Sequence, residues 1–572
     1  MKNKEMARIF DRIADALEFK GEMVFRVLAY RKAARVLDEL VEDVAALHRD
    51  GKLDELPGIG AGIAKKIVEY LETGKMKKYA EVTKGIPDSL LNMLDIQNLG
   101  PKTLALANRK LRVKTIADLK KVIASGKLAE LPQMGEKKVE NIRKGIEQYE
   151  KGHERLSIAV AEKVAFEVID YLKRNAKIKD ISPAGSLRRW KETIGDVDVL
   201  VTGKNGAKIV RTFTEYPRTE RVLAAGDTKG SIMVEGGVQV DLRIVEPKSY
   251  GAALQYFTGS KAHNVRCRNI ARTKGLKLSE YGLFKGKKIV AGKTEEEVYE
   301  KLGLGYIPPE LREDRGEIEA ALKKKLPKLI KLADINGDLQ MHSTYSDSSA
   351  TIAQLAQAAE QLGYQYILIT DHSRSAKYAH GLEIERLKRQ WKEIDKINKK
   401  SKVHVLKGIE VDILKDGKLD YPDRILEELD LVLASIHQGF KKNVTERMCA
   451  AMYNPYVDII GHPTGRLISS REGYVVDIQK VMEKAVETGT WLELNAFWDR
   501  LDLSDANLRV AKDMGVMISI GTDAHDTKGL LWMKFGLANA RRGWLEPRDV
   551  VNTYSLKKLL ASRKLHGKLP AF

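Results

Sequence analysis

Two places in this 572-residue sequence gather side chains that could do metal-assisted chemistry. The first is GDVDVL, where Asp196 and Asp198 are separated by one residue in an apolar run. On a strand, residues i and i+2 share a face, so both carboxylates project together. A third acid, Asp241, stands inside the apolar run VQVDLRIV. A buried carboxylate is costly without a partner. Three that converge repel one another, and divalent cations that take oxygen ligands, Mg2+ above all, relieve the repulsion. Two such ions suit a phosphoryl displacement, activating an attacking hydroxyl and stabilising the leaving oxygen. The plain alternative for D-x-D is a solvated edge strand; Gly185-Ser186 and the arginine pair just upstream, in AGSLRRW, argue against it.

The second place is GDLQMHSTYSD (337–347), which carries His342 and Asp347. Further along stand His372 (ITDHS), Glu410 (KGIEVDI), His437 (LASIHQ), His462 (IIGHPTGR), and Asp523 with His525 (GTDAH). Almost every one directly follows an apolar, strand-like run. A single histidine usually reads as structural, and His380, His404 and His566 keep that reading. The rest form a set whose mixed imidazole and carboxylate character suits Zn2+, Mn2+ or Fe. Gln340 stands two residues before His342, where a second imidazole would complete an H-x-H pair.

Different elements must position these two sets. Residues 1–80 show helical spacing of apolar residues, as in NKEMARIFDRIADALEF. Three related punctuations follow: LPGIGAGIAKKI (56–67), IQNLGPKTLALA (96–107) and LPQMGEKKVENI (131–142). Each is a glycine-bearing turn followed by an amphipathic helix, an internal repeat that lets backbone N–H groups approach a phosphate. Gln133 replaces the first glycine of the third copy. From about 150 strand-rich runs appear, and a proline- and charge-rich stretch near 318–335 reads as a junction. Beyond it, strand and helix alternate, predicting a barrel or parallel α/β sheet with the polar residues at strand C-termini, where barrel active sites are built.

Composition narrows the partners. The net charge is +20, with 34 basic against 31 acidic residues in 336–572 and 65 against 48 in 1–335. The basic half is suited to a polyanion, whose phosphates it neutralises with release of counterions. Two distant cysteines, Cys267 and Cys449, exclude a disulfide framework or a cysteine-based zinc site. No long apolar leader or 18-residue apolar stretch is found, so no membrane segment is expected, and a cytoplasmic monomer is expected.

Gly-Ser followed by D-x-D ten residues later, with LQYFTGSKAHNVRCRNIA (254–271), resembles the family X DNA polymerases of bacteria and archaea. Residues 336–572 resemble the polymerase and histidinol phosphatase (PHP) domain. The resemblance implies a multidomain α+β and α/β chain. Its parts would be a lyase-like helix-hairpin-helix domain (1–80), a fingers-like helix-hairpin-helix region (81–150), a nucleotidyltransferase palm with an antiparallel or mixed sheet (151–250), a thumb (251–318), a linker (319–335) and a distorted (β/α)7 barrel (336–572). It implies gap filling on gapped or primer-template DNA with dNTPs and two Mg2+ or Mn2+ ions. Asp196 and Asp198 would ligate both ions and Asp241 the catalytic one. Ser186, Arg189, Gly195 and Arg155 would hold the triphosphate, Tyr256 and Phe257 the sugar, Asn264 the minor-groove edge and Arg268 the template strand.

Gly58, Gly60 and Gly100 would meet DNA backbone. Lys66 stands where eukaryotic relatives carry a Schiff-base lyase lysine; it is either that or a contact to a 5′ phosphate, with Lys65 as the neighbour that would lower its pKa and Tyr30, Arg26 and Lys78 on the same surface. In the barrel the resemblance implies two to three Zn2+ or Mn2+ ions. His342, Glu410 and Asp523 would hold one, Asp347, His372 and His525 a second, and Glu410, His437 and His462 a third, with Gln340 at the usual first histidine as a weak neutral ligand. Arg466 and Lys441 would contact the scissile phosphate. The activity implied is a 3′→5′ exonuclease or 3′-end-cleaning phosphoesterase, with cutting at abasic sites as an extension. Two other readings compete: a polymerase whose barrel only scaffolds DNA, and a template-independent nucleotidyltransferase fused to a small-molecule phosphatase. The YFTGS segment and the three hairpins disfavour the last.

Overall fold

The computed structural model describes residues 3–40, 44–53, 56, 58–96, 98–132, 134–150 and 155–563. It divides into two compact units, 1–154 and 155–572.

The first unit is helical. Each of the three repeated turns closes with a backbone bond across three residues, from Ile59 to Leu56, Leu99 to Ile96 and Met134 to Leu131. A helix then starts after a glycine: Ala61–Thr73 after Gly60, Pro101–Leu111 after Gly100, Glu136–Glu150 after Gly135. Gly58 takes the left-handed turn position in the first copy (φ 102°) and Asn98 in the second (φ 66°); Gln133, in the third, lies outside the described residues. One apolar core, from Phe10 and Leu17 through Leu104 to Ile142, runs across the expected boundary at residue 80.

The second unit contains two sheets that carry the chemistry. The first has five strands: β1 (Ile178–Pro183), β2 (Val197–Gly203), β3 (Thr219–Ala225), β4 (Lys229–Val234) and β5 (Val238–Val245). Their order is β1-β2-β5-β4-β3. All pairings are antiparallel except β2 with β5, so the sheet is mixed, as expected. Along β5, Val238, Val240, Leu242 and Ile244 are buried while Gln239, Asp241 and Arg243 alternate to the other face. A three-stranded meander over 277–291 follows.

The second sheet is a parallel barrel of seven strands in sequential order: β6 (Gly337–Met341), β7 (Tyr366–Ile369), β8 (His404–Asp412), β9 (Leu431–Ser435), β10 (Ile459–Ile460), β11 (Trp491–Asn495) and β12 (Ile518–Gly521). The first and last strands meet just past their ends, where His342 N–H donates to Ala524 and Asp523 N–H to Gln340. Residues of every strand are buried on both faces, which is why these segments read as continuous apolar runs. The expected linker is strapped to the barrel: Ile330 N–H donates to Leu545, and Lys328 N–H to Glu546 at 3.0 Å.

Candidate functional site

In the first sheet, Asp198 on β2 pairs in register with Asp241 on β5. Asp196 lies in the bend just before β2 rather than on the strand, yet its carboxylate still reaches the other two. Burial, reinforced by Asp196 and Asp241, pushes the Asp198 carboxyl up to about 7. Burial and Asp241 raise that of Asp196 as well. Two buried acids held partly un-ionised beside a third carboxylate mark a place short of positive charge, and divalent cations fit it. Gln239 donates to one oxygen of Asp241 at 3.0 Å.

Around the triad, the Gly185-Ser186 turn is pressed onto Asp198. Gly185 has φ +59°, and a Cβ there would sit 2.1 Å from Asp198 Oδ2. Arg155 is fixed by two bonds of 2.7 Å to Thr193 and lies against Gly195. Arg189 is partly committed elsewhere: it pairs with Glu313 at 3.0 Å and donates to the Thr258 carbonyl. Tyr256 and Phe257 meet edge to face at 5.2 Å, and Arg243 lies over the Phe257 ring. Asn264 points inward: its amide donates to Tyr256 O and accepts from the buried Gln255, both at 2.7 Å. Arg268 is half-buried on the same helix.

At the barrel's C-terminal rim the eight expected His, Asp and Glu side chains converge. Glu410, inside β8, is central. His372 Nδ1 lies 3.1 Å from its Oε2, while His437 and His462 Nε2 lie 3.3 and 3.0 Å from its Oε1. His342 Nε2 is 3.1 Å from Asp523 and 3.7 Å from Glu410. Asp347 lies 3.4 Å from His525, 3.7 Å from His372 and 3.9 Å from His342. Two sets could each hold an ion: His342, Asp347, His372 and His525, and His372, Glu410 and His437. His342 thus joins the expected Asp347 set, and His372 reaches both.

Both ring nitrogens of His342, and Nδ1 of His372 and His462, are buried without a hydrogen-bond partner. Buried polar atoms are ordinarily satisfied, so lone pairs left open around one carboxylate fit a metal centre. Burial, with His342 and His437, holds His372 down at about 4. His437 goes the other way: burial opposes its protonation, but Glu410 and Asp412 outweigh it and lift it to about 10.

In the first unit, Arg26, Tyr30, Gly58, Gly60, Lys66 and Lys78 line a cleft of about 560 Å3. Lys66 Nζ is 6.0 Å from the Tyr30 ring centroid. Burial, with Lys78 second, lowers its pKa. The cationic neighbour is therefore Lys78, from the next helix in space, and not the sequence neighbour Lys65, which is exposed.

Four family models match: a helix-hairpin-helix domain (1–76), a SAM-like helix-hairpin-helix tandem (90–148), the DNA polymerase beta thumb (253–313) and the PHP domain (338–496). The DNA polymerase/3'-5' exonuclease PolX of Bacillus subtilis is 40% identical over 572 residues, 99% of this chain and 100% of the relative. The chain belongs to the family X DNA polymerases that carry a C-terminal PHP domain. DNA polymerase lambda of Rattus norvegicus is 26% identical over 332 residues, 53% of this chain and 54% of its own. A probable phosphatase of Thermoanaerobacter is 36% identical over 204 residues, 33% of this chain and 78% of its own. Both halves of this family X chain are of metal-dependent kinds, and none of the described helices is long and apolar enough to cross a membrane.

Within the PHP barrel, sequence reasoning missed residues that orient the ligands. Asp412 binds His437 Nδ1 at 2.6 Å, and it was legible, two residues after Glu410 on one strand. Arg500, 3.6 Å from Asp523, carried no such signal. In the palm, Arg243 stands two residues past Asp241 on the same face. The amide of Gln340 packs against Asn495 and Glu493, and Asn495 in turn reaches Asp523 at 3.1 Å. Arg466 is half-buried and pairs with Glu192 of the palm at 2.6 Å. Lys441 is exposed.

Proposed function

We propose that this family X polymerase fills short gaps in DNA by two-metal nucleotidyl transfer and that its PHP barrel trims 3′ ends. The observation that carries the reading is the convergence of Asp196, Asp198 and Asp241 against the Gly185-Ser186 turn. Asp196 and Asp198 would hold two ions, Mg2+ or Mn2+, and Asp241 the one nearer the primer end. Bound ions supply the positive charge that three carboxylates and a triphosphate together demand. Gln239 occupies one oxygen of Asp241 and leaves the other to take the proton of the primer 3′-OH. Ser186, Arg189, the Gly195 backbone and Arg155 hold the triphosphate. Tyr256 and Phe257 face the sugar, Asn264 meets the minor-groove edge of the incoming nucleotide once released from Tyr256, and Arg268 meets the template strand.

In the barrel, two to three ions, Zn2+ or Mn2+, would be held by His342, Asp347, His372, Glu410, His437, His462, Asp523 and His525. Such ions generate a nucleophile from water and polarise a phosphodiester. Asp412 keeps His437 Nε2 turned toward the centre. The buried imidazole nitrogens without partners favour this reading over a barrel that only scaffolds DNA. In the amino-terminal unit Gly58, Gly60 and Gly100 meet the DNA backbone, and Lys66 with Arg26 and Lys78 binds the 5′ phosphate of the gap. The lowered pKa of Lys66 favours a second reading as a lyase nucleophile, tested by borohydride trapping on 5′-deoxyribose-phosphate DNA. The enzyme works as a cytoplasmic monomer.

Two variants test the main reading on gapped DNA. Asp198→Ala should abolish extension and keep Mn2+-dependent 3′ trimming, while His437→Ala should do the reverse. A wild-type enzyme that trims with none of Mg2+, Mn2+ or Zn2+ would leave the barrel a scaffold.

A further inference from the structure

Beside the metal centre opens a pocket of about 250 Å3 whose floor is His437 and His462. Its size falls just below the range of about 300–1,000 Å3 for drug-sized ligands, so it takes one planar ring system rather than a base pair. The lining pairs rings with cations. Tyr378 is 70% exposed, yet its ring centroid lies 6.1 Å from that of His372 and 6.4 Å from that of His437, directly over the ligand cluster. Across from it, Phe440 stacks on Tyr474 at 5.2 Å and carries Arg471 on its ring at 4.9 Å. Arg500 lines the same pocket and has Nη1 buried without a hydrogen-bond partner.

A tyrosine left mostly in water at the edge of a phosphoesterase centre meets the His372 and His437 rings and offers the rest of its surface to anything planar that enters. Its position lies outside every ligand-bearing run, on a single turn that follows His372. Aromatic rings beside a cationic site are the recurrent means of gripping single-stranded nucleic acid, since every base has a face to stack. An open guanidinium donor beside the acids of a metal site has the matching use for a phosphate oxygen.

We infer that this pocket is a slot for one nucleotide, in which Tyr378 and Phe440 stack the base of an unpaired 3′-terminal residue while Arg500 holds the phosphodiester to be cut. The inference rests on the nuclease reading above and adds to it that trimming senses the base of the end it cuts.

The test compares two single-stranded oligonucleotides, one ending in an ordinary 3′ nucleotide and one in a 3′ tetrahydrofuran unit that lacks a base. Wild type should cut the base-bearing end faster. Tyr378→Ala should lower kcat/KM on that end roughly 5- to 100-fold, the worth of one base–ring stack. It should leave the baseless end unchanged, and Tyr378→Phe should restore the loss. Primer extension by the same variants, whose palm is untouched, reports that the chain has folded. Equal trimming of both ends by wild type, or a Tyr378→Ala loss that falls equally on both, overturns the slot while leaving the nuclease standing. Absence of trimming from wild type on either end overturns both.

Discussion

Gly185→Ala offers the sharpest test of the polymerase centre, because the cost follows from two geometric features. The residue has φ +59°, a backbone conformation that costs alanine about 1–2 kcal/mol. A Cβ built there would lie 2.1 Å from Asp198 Oδ2. Ordinary C···O contacts begin at about 3.3 Å, so the carboxylate must retreat by about 1 Å. The strain falls on one side chain, so folding should survive, but the oxygen proposed to face both metals and the incoming triphosphate is displaced. Misplacement by about 1 Å can cost on the order of 100-fold in rate. The assay is single-nucleotide insertion on a gapped duplex at saturating dNTP with Mg2+, with 3′ trimming on the same preparation as the control for folding. The expected result is a fall of about 100-fold in kcat with trimming within twofold of wild type. Insertion within a few fold of wild type would refute the claim that this turn sets the Asp198 carboxylate.

Other outcomes follow from neighbouring geometry. Asp412→Asn should weaken the hold on His437 Nδ1 and slow trimming about 10- to 100-fold with extension unchanged; equal activities would show that His437 needs no orienting partner. Gln340→His should raise Mn2+ or Zn2+ retained per chain after dialysis, since it offers an imidazole where the present amide turns to Glu493 and Asn495; unchanged metal content counts against any ligand role for that position. Acid stability has a defined window. Burial alone would raise the carboxyls of Glu295 and Glu313, but Arg312 and Arg188 hold the first, and Arg542, Lys191 and Arg189 the second, down to about 2. Groups depressed on folding stabilise the native state above their unfolded pKa of about 4.3 and lose that contribution as pH falls toward 2. The melting temperature should therefore drop between pH 5 and 3, with at most about 3 kcal/mol at stake per residue. Glu295→Gln should be less stable at pH 6 and show a flatter acid limb; a parallel limb would place the proton uptake elsewhere.

Much of this molecule was legible in one dimension because its periodicities are local. The D-x-D spacing put two carboxylates side by side, although Asp196 lies in the bend before β2 and not on the strand, and the candidate barrel ligands announced themselves by standing directly after apolar runs. The three hairpins repeat because a turn and a helix start are decided by a few adjacent residues. Asp412 could have been read by the same alternate-residue logic that selected Asp196 and Asp198.

What the sequence by itself determined, then, was the chemistry on offer: two groups of metal-seeking side chains, the elements that carry them and a basic half for a polyanion. Only the tertiary structure decided how those groups are shared. It set Asp198 opposite Asp241, made Glu410 the centre on which three histidines converge, turned Gln340 toward Glu493, paired Arg466 with Glu192 and gave Lys66 its charged neighbour in Lys78. The physical reason is range. A residue's own backbone preferences act over a few neighbours, whereas burial and charge act through space, so the partner that shifts a pKa or claims a guanidinium is set by packing between segments far apart in the chain.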